Sequence, residues 1–232
     1  MLDARGGRMP GAVVVGDIDL VRPLGLAGIR VAVMAPPGDP ARYSRFTREL
    51  VEWVDPWDQP EGMVEALLRF GEAQAQPPVL FYEGDPDLLL VSRCRARLAT
   101  AFRFVVPDQE LVEDLVDKAR FQQLAARHRL PVPPARHCVP AGEPVPADLG
   151  LEFPVVVKPL TRRGESWRPV VGGVKALQVD SLEALERLWP RFATAGLEIL
   201  VQTLIPGPES NIESYHVYVD GSGTVVGEFT GK

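Results

Sequence analysis

Four groups of residues have types and spacings suited to holding a phosphorylated ligand. The first is Asp117-Lys118 with Phe121, on the polar side of a long amphipathic segment. A lysine there is a compact positive charge, or else an ordinary surface residue. The second is FPVVVKP (153–159), where Lys158 ends a run of β-branched residues. The end of a buried strand beside a cleft faces a ligand; the plain alternative is a lysine snorkelling from a sheet edge. The third is the run Thr161-Arg162-Arg163-Gly164-Glu165-Ser166-Trp167-Arg168, with Gly172-Gly173 beyond it. Glycine lets backbone amides approach phosphate oxygens, and arginine adds bidentate charge; a solvated hairpin loop has the same look. The fourth is ILVQTLIPGPE (199–209), a strand that runs into a Pro-Gly turn with Glu209 just past it. Such a segment can hydrogen-bond a nucleobase edge through its backbone, and a carboxylate after it can accept from ribose hydroxyls. A plain turn with an exposed glutamate is the bland reading.

Their order gives the four groups joint meaning. Two separated lysines precede a backbone segment and a carboxylate, all flanking one expected cleft. The lysines suit a triphosphate by charge; the segment and the carboxylate suit the nucleoside. Other residues are read as structural. His128 and His137 are surface groups, and His216 packs on a strand. Cys94 has no adjacent base and is no nucleophile. Gly16-Asp17 follows the first strand but lacks the dinucleotide glycine pattern. Glu83-Gly84-Asp85, after the fourth strand, is a weaker candidate for ligand binding, at a strand C-terminal end.

The elements that must position these residues fall into two blocks. The first alternates strands at 12–15, 29–34, 49–54, 79–82 and 102–106 with helices at 20–28, 61–75 and 87–99. Near-continuously apolar strands separated by helices indicate a doubly wound parallel sheet. In the 20–28 helix Pro23 fits near the first turn. Pro107-Asp108 opens one long helix to about residue 129, with Asp108 as N-cap and Leu111, Leu115 and Ala119 on its apolar face. LPVPPA (130–135) then forces extended chain. The second block reads as strand 154–158, polar loop 161–173, strand 174–179, a helix capped by Ser181, and strand 198–204. Two further strands, 213–220 and 224–229, flank the hairpin turn Gly221-Ser222-Gly223. This order suggests an α+β lobe. The domain reading is 1–107, a helix and linker over 108–135, a small lobe over 136–200, and the start of a third unit over 201–232.

With those elements in place, the sequence resembles the ATP-grasp superfamily over nearly its whole length. The DK helix, the VVVKP strand, the loop and the hinge LVQTLIPGPE occur in that family's order, after a pre-ATP-grasp domain of doubly wound type. SRCRARL (92–98), FRFVVPDQELVEDLVDK (102–118) and FTGK (229–232) resemble carboxylate–amine ligases related to D-aspartate ligase. The resemblance implies that Lys118 and Lys158 contact the ATP phosphates. It implies that Gln202, Thr203 and Leu204 frame the adenine, largely by backbone, that Glu209 holds the ribose, and that the loop around Gly164 closes over the phosphates. The implied chemistry is phosphorylation of a carboxylate to an acylphosphate and its displacement by an amine or thiol, with ATP and Mg²⁺. The implied metal ligands lie in a C-terminal core beyond the hairpin, so no metal ligand is assigned. The expectation is a ligase portion inactive on its own. A second reading, from another class, is an ATP-binding regulatory module or half of a split enzyme. A nicotinamide oxidoreductase would rest on the first block alone.

Composition bounds the partners. The 232 residues carry a formal charge of −6 with both signs dispersed, which argues against nucleic acid. The first residues, MLDARGGRMPG, hold no hydrophobic signal core, and no apolar run reaches membrane-span length. Cys94 and Cys138 are in no metal spacing and read as free thiols. The expectation is a soluble, cytoplasmic protein acting on a small carboxylate and an amine or thiol acceptor. The apolar hairpin face near Val217 and Phe229 leaves a homodimer open.

Overall fold

The computed structural model describes residues 11–160 and 164–232. The stretch before residue 11, and Thr161, Arg162 and Arg163 of the glycine-arginine run, lie outside the described residues. The chain forms two compact units, one through Leu124 and one from Ala125.

In the first unit the elements are β1 (Ala12–Val15), α1 (Ile18–Leu26), β2 (Val31–Met34), β3 (Thr47–Leu50), α2 (Pro60–Glu72), β4 (Val79–Tyr82), α3 (Asp85–Arg93), α4 (Arg95–Leu98) and α5 (Gln109–Val116). The helix α6 (Lys118–His128) spans the division between units. Four strands pair in parallel in the order β3-β2-β1-β4. The alternating side chains of β1 explain the layering. Val13 and Val15 pack with Met34, Met63 and Leu67 on one face, while Val14 packs with Val21, Val33 and Ala41 on the other. Both faces are covered, as expected for a doubly wound sheet.

Several boundaries differ from the sequence reading, each for a local reason. The Asp17 carboxylate accepts from the Asp19 N–H at 2.7 Å, so α1 starts at Ile18 and Pro23 lies inside it rather than in its first turn. β3 is displaced from 49–54 to Thr47–Leu50. The segment 102–106 makes only a bridge between Arg103 and Val79, and the Tyr82 hydroxyl takes the Val105 carbonyl that a longer ladder would use. The 87–99 helix breaks at Cys94, where Arg95 Nε donates to the Ser92 carbonyl at 2.9 Å. The long helix breaks as well. Asp117 is extended, and its carboxylate accepts from the N–H groups of Ala119 and Arg120, both at 2.8 Å, so it caps α6. With the helix broken, the assumed apolar stripe fails: Leu111 and Leu115 are exposed, and Val112 is buried instead.

The second unit holds β5 (Ala135–Cys138), β6 (Val155–Pro159), α7 (Gly164–Val171), β7 (Leu177–Val179), α8 (Leu182–Thr194), β8 (Ile199–Thr203), β9 (Ser214–Val219) and β10 (Val225–Gly231). An antiparallel sheet runs β5-β8-β6-β7. One face, with Val155, Val157, Ile199 and Val201, packs on Leu185, Trp189 and Phe192 of α8. Ser181 caps α8 as expected, accepting from the Ala184 N–H at 3.2 Å. β5 falls at the margin of the proline-rich segment read as a connection, with Arg136 and His137 exposed on an edge strand. Residues 164–171, read as loop, are helical, and the Trp167 indole is buried, stacks on Phe192 at 5.9 Å, and donates to the Val174 carbonyl at 2.8 Å. Burying one large aromatic outweighs the polar look of that stretch. β9 and β10 form the expected antiparallel hairpin. Among the described residues no helix is long and apolar enough to cross a membrane.

Candidate functional site

β6 and β8 run antiparallel with Val156 opposite Gln202 and Lys158 opposite Leu200. The period-2 rule puts Lys158 and Gln202 on the face away from α8. There the Lys158 ammonium donates to Gln202 Oε1 at 2.8 Å, half-buried. Both residues were expected to serve a nucleotide, Gln202 mainly through its backbone; the folded register makes its side chain the partner of Lys158. His137 and Glu198, on the same side of the sheet, approach to 2.9 Å.

Past Gln202 the strand leaves the sheet. The Thr203 N–H donates to the Pro134 carbonyl at 2.9 Å, and the Leu204 N–H to the Pro154 carbonyl at 3.3 Å. Gly207 has φ +132, a conformation that L side chains rarely adopt, so the Pro-Gly turn depends on glycine here. Glu209 then opens a short 3₁₀ turn, Glu209–Asn211, and is exposed. Gly164 is the first residue of α7. Lys118 belongs to the first unit, as the first residue of α6, after the capping Asp117. The structure thus brings Lys158 and Gln202 into contact, sets Thr203 and Leu204 next in the chain, and holds Glu209 in a separate turn.

The first unit carries a cavity of about 240 Å³ at the C-terminal ends of β1 and β4. Strand order reverses there, since β1 lies between β2 and β4, and open α/β sheets bind ligands at such points. Asp17, Asp39, Trp53, Glu83 and Asp87 line it. Gly16, with φ +156, lets Glu83 approach so closely that a Cβ would lie 2.8 Å from its Oε2. The same Glu83 oxygen accepts from the Asp17 N–H at 2.9 Å. Asp87, two residues past the candidate Asp85, had no sequence signal. It is buried, and Oδ2 accepts from the Gly84 N–H at 3.2 Å. Burial first, then the nearby charges of Glu83 and Asp55, push its carboxyl up to about 6 against the pull of the Gly84 bond.

The remaining sequence candidates sit as structural groups. His216 stacks on Phe229 with ring centroids 4.5 Å apart. Both cysteines are free thiols, and burial pushes the Cys138 thiol up. Among the described residues no group of three or more His, Cys, Asp or Glu side chains is placed to hold a metal ion.

This arrangement of a parallel sheet followed by an antiparallel sheet is shared with known proteins. A D-aspartate ligase of Enterococcus faecium is 27% identical over 190 residues, covering 78% of this chain and 45% of the relative. An L-amino acid ligase from Bacillus licheniformis superposes with a TM-score of 0.68 at 13% identity, over 95% of this chain and 50% of that chain. The chain shares its fold with this ligase over nearly its whole length. An N5-carboxyaminoimidazole ribonucleotide synthetase in its ADP complex shares the same fold, with a TM-score of 0.67 at 18% identity over 96% of this chain and 54% of that one. So does the biotin carboxylase domain dimer of Hydrogenobacter thermophilus 2-oxoglutarate carboxylase, held with MgADP and bicarbonate, with a TM-score of 0.58 at 20% identity over 95% of this chain and 50% of that one. The chain spans about half the length of each of these proteins. No family model matches it.

Proposed function

We propose that this chain holds ATP for an ATP-dependent ligase that joins a carboxylate to an amine or thiol. The observation that carries the reading is the Lys158 ammonium fixed by Gln202 on the face of the sheet away from α8, immediately before the hinge. A lysine so placed meets phosphate oxygens as a point charge. An adenine edge presents an amino group and ring acceptors, and an extended backbone leaving a sheet offers carbonyls and N–H groups to match. Glu209, exposed just past the turn, accepts from ribose hydroxyls, and Lys118 adds a second charge at the phosphates. ATP supplies the phosphoryl group that turns the carboxylate into an acylphosphate; the amine or thiol then expels phosphate.

The resemblance to D-aspartate ligase favours the carboxylate–amine class. The acidic cavity of the first unit, with Trp53 in its lining, suits an amine carried as a cation. Mg²⁺ is part of the proposal through the nucleotide, because this ion prefers phosphate oxygens with only one or two carboxylates. The described residues provide no ligand set of their own for it, and no step is assigned to it.

Calorimetric titration with MgATP tests the reading. Binding is expected in the parent chain, weakened by about 10-fold or more in both Lys118→Ala and Lys158→Ala, the loss of one charge-assisted contact each. Parent-like affinity in Lys158→Ala with the fold intact would remove the site from this face of the sheet.

A further inference from the structure

The last two rungs of the β8 ladder are built with proline on the far side. In an antiparallel pair of the hydrogen-bonded kind, the two residues exchange two bonds, each giving an N–H and each a carbonyl. The β5–β8 register pairs Ala135 with Gln202, so the next rung sets Pro134 against Thr203. The β6–β8 register pairs Val155 with Thr203, so the next rung sets Pro154 against Leu204. In both rungs the hinge residue gives its N–H to the proline carbonyl, at 2.9 Å and 3.3 Å. Neither proline has an N–H to return. Each rung is therefore half made, and the Thr203 and Leu204 carbonyls leave the sheet without a ladder donor. A proline opposite one hinge residue could be a strand terminator; two on opposite sides, against consecutive residues, leave acceptors on both flanks of the hinge.

We infer that Pro134 is a specificity-determining residue that reserves the Thr203 carbonyl for the exocyclic amino group of a nucleobase, Pro154 leaving the Leu204 carbonyl open on the opposite flank. A carbonyl without a ladder donor welcomes a 6-amino purine, which brings an N–H to it. It rejects a 6-oxo purine, which brings a second acceptor. An ordinary residue at position 134 would supply an N–H to Thr203 and compete with the base. Pro134 acts on the ligand through the hinge backbone rather than by touching the reacting atoms. The inference rests on the nucleotide reading above and names a residue that sets the base preference of that same site.

The test compares ATP with inosine triphosphate, which differs at the 6-position, in the parent chain and in Pro134→Ala, each shown folded by circular dichroism. The parent is expected to prefer ATP by at least about 10-fold, one hydrogen bond's worth. Pro134→Ala is expected to lose most of that preference, mainly by weaker ATP binding. A folded Pro134→Ala that keeps the parent preference overturns the inference and leaves the nucleotide site standing, as does a parent that binds both nucleotides alike. A parent that binds neither overturns the nucleotide reading itself, and this inference with it. If Pro134→Ala does not fold, the parent's Thr203 and Leu204 carbonyl ¹³C resonances decide. At least one should shift with ATP and not with purine riboside triphosphate, which lacks the amino group; equal shifts overturn the inference.

Discussion

Replacing Asp87 by Asn should raise the stability of the protein in a pH-dependent way, by an amount that follows from the site. In the unfolded chain an aspartate titrates near 3.8; in the fold, burial moves Asp87 to about 6. Between those pH values the folded state holds a proton that the unfolded state has released. Wild-type stability attributable to this group therefore falls as pH rises from about 4 to about 6, and is flat above. The full loss is about 3 kcal/mol, of which about 2 kcal/mol falls between pH 4.5 and 7.5. Asn keeps the shape of the protonated acid and an oxygen for the Gly84 N–H, but cannot ionise. The stability difference between Asp87→Asn and wild type should then grow by about 2 kcal/mol over that interval in favour of the variant. Urea denaturation at the two pH values, followed by tryptophan fluorescence, gives the comparison, with Trp53 and Trp57 reporting the first unit and Trp167 and Trp189 the second. Other titrating groups cancel in the difference. A difference that stays constant with pH would show that the cavity hydrates Asp87 freely and would refute the reasoning.

Three further outcomes are expected. Gln202→Ala should weaken MgATP binding several-fold by releasing Lys158, while leaving the melting temperature nearly unchanged, because the pair is only half-buried; calorimetry and a thermal melt read the two effects separately. Ser181→Ala removes the cap of α8 and should cost about 1 kcal/mol by urea denaturation. Gly71→Ala should destabilise even though alanine is the better helix former by about 1 kcal/mol. Its Cβ would lie 2.8 Å from the Phe102 ring and 2.9 Å from Ala101 Cβ, both buried, and that crowding costs about 1–3 kcal/mol. A rise in melting temperature would count against it.

Much of the architecture was legible in local chemistry. The four-residue apolar strands β1 and β4 sit where continuous β-branched or aromatic runs placed them, because strands buried on both faces need no alternation. Ser181 and Asp108 cap the helices they precede, and the Gly-Ser-Gly turn joins β9 to β10, since caps and turns are decided within a few residues. The breaks at Cys94 and Asp117 were not legible. Both depend on a side chain choosing a nearby backbone partner over the helix, and periodicity does not register that choice. The helix over 164–171 was hidden for the opposite reason: its polar composition says loop, and only the burial of Trp167 against Phe192 makes it ordered helix.

For the site, the sequence by itself determined which residue types are available and in what order: a lysine ending an apolar strand, a Pro-Gly hinge, and a carboxylate beyond it. These are properties of single segments, fixed by side-chain chemistry and local backbone limits. Tertiary structure decided the pairings. Gln202 meets Lys158 although 44 residues separate them, Pro134 and Pro154 face the hinge from just before two different strands, and Asp87 closes a cavity with Asp17 and Glu83. Each of these depends on sheet register or strand order, which are set by the packing of whole faces. A shift of one residue in β8 would turn Gln202 toward α8 and leave Lys158 without its partner.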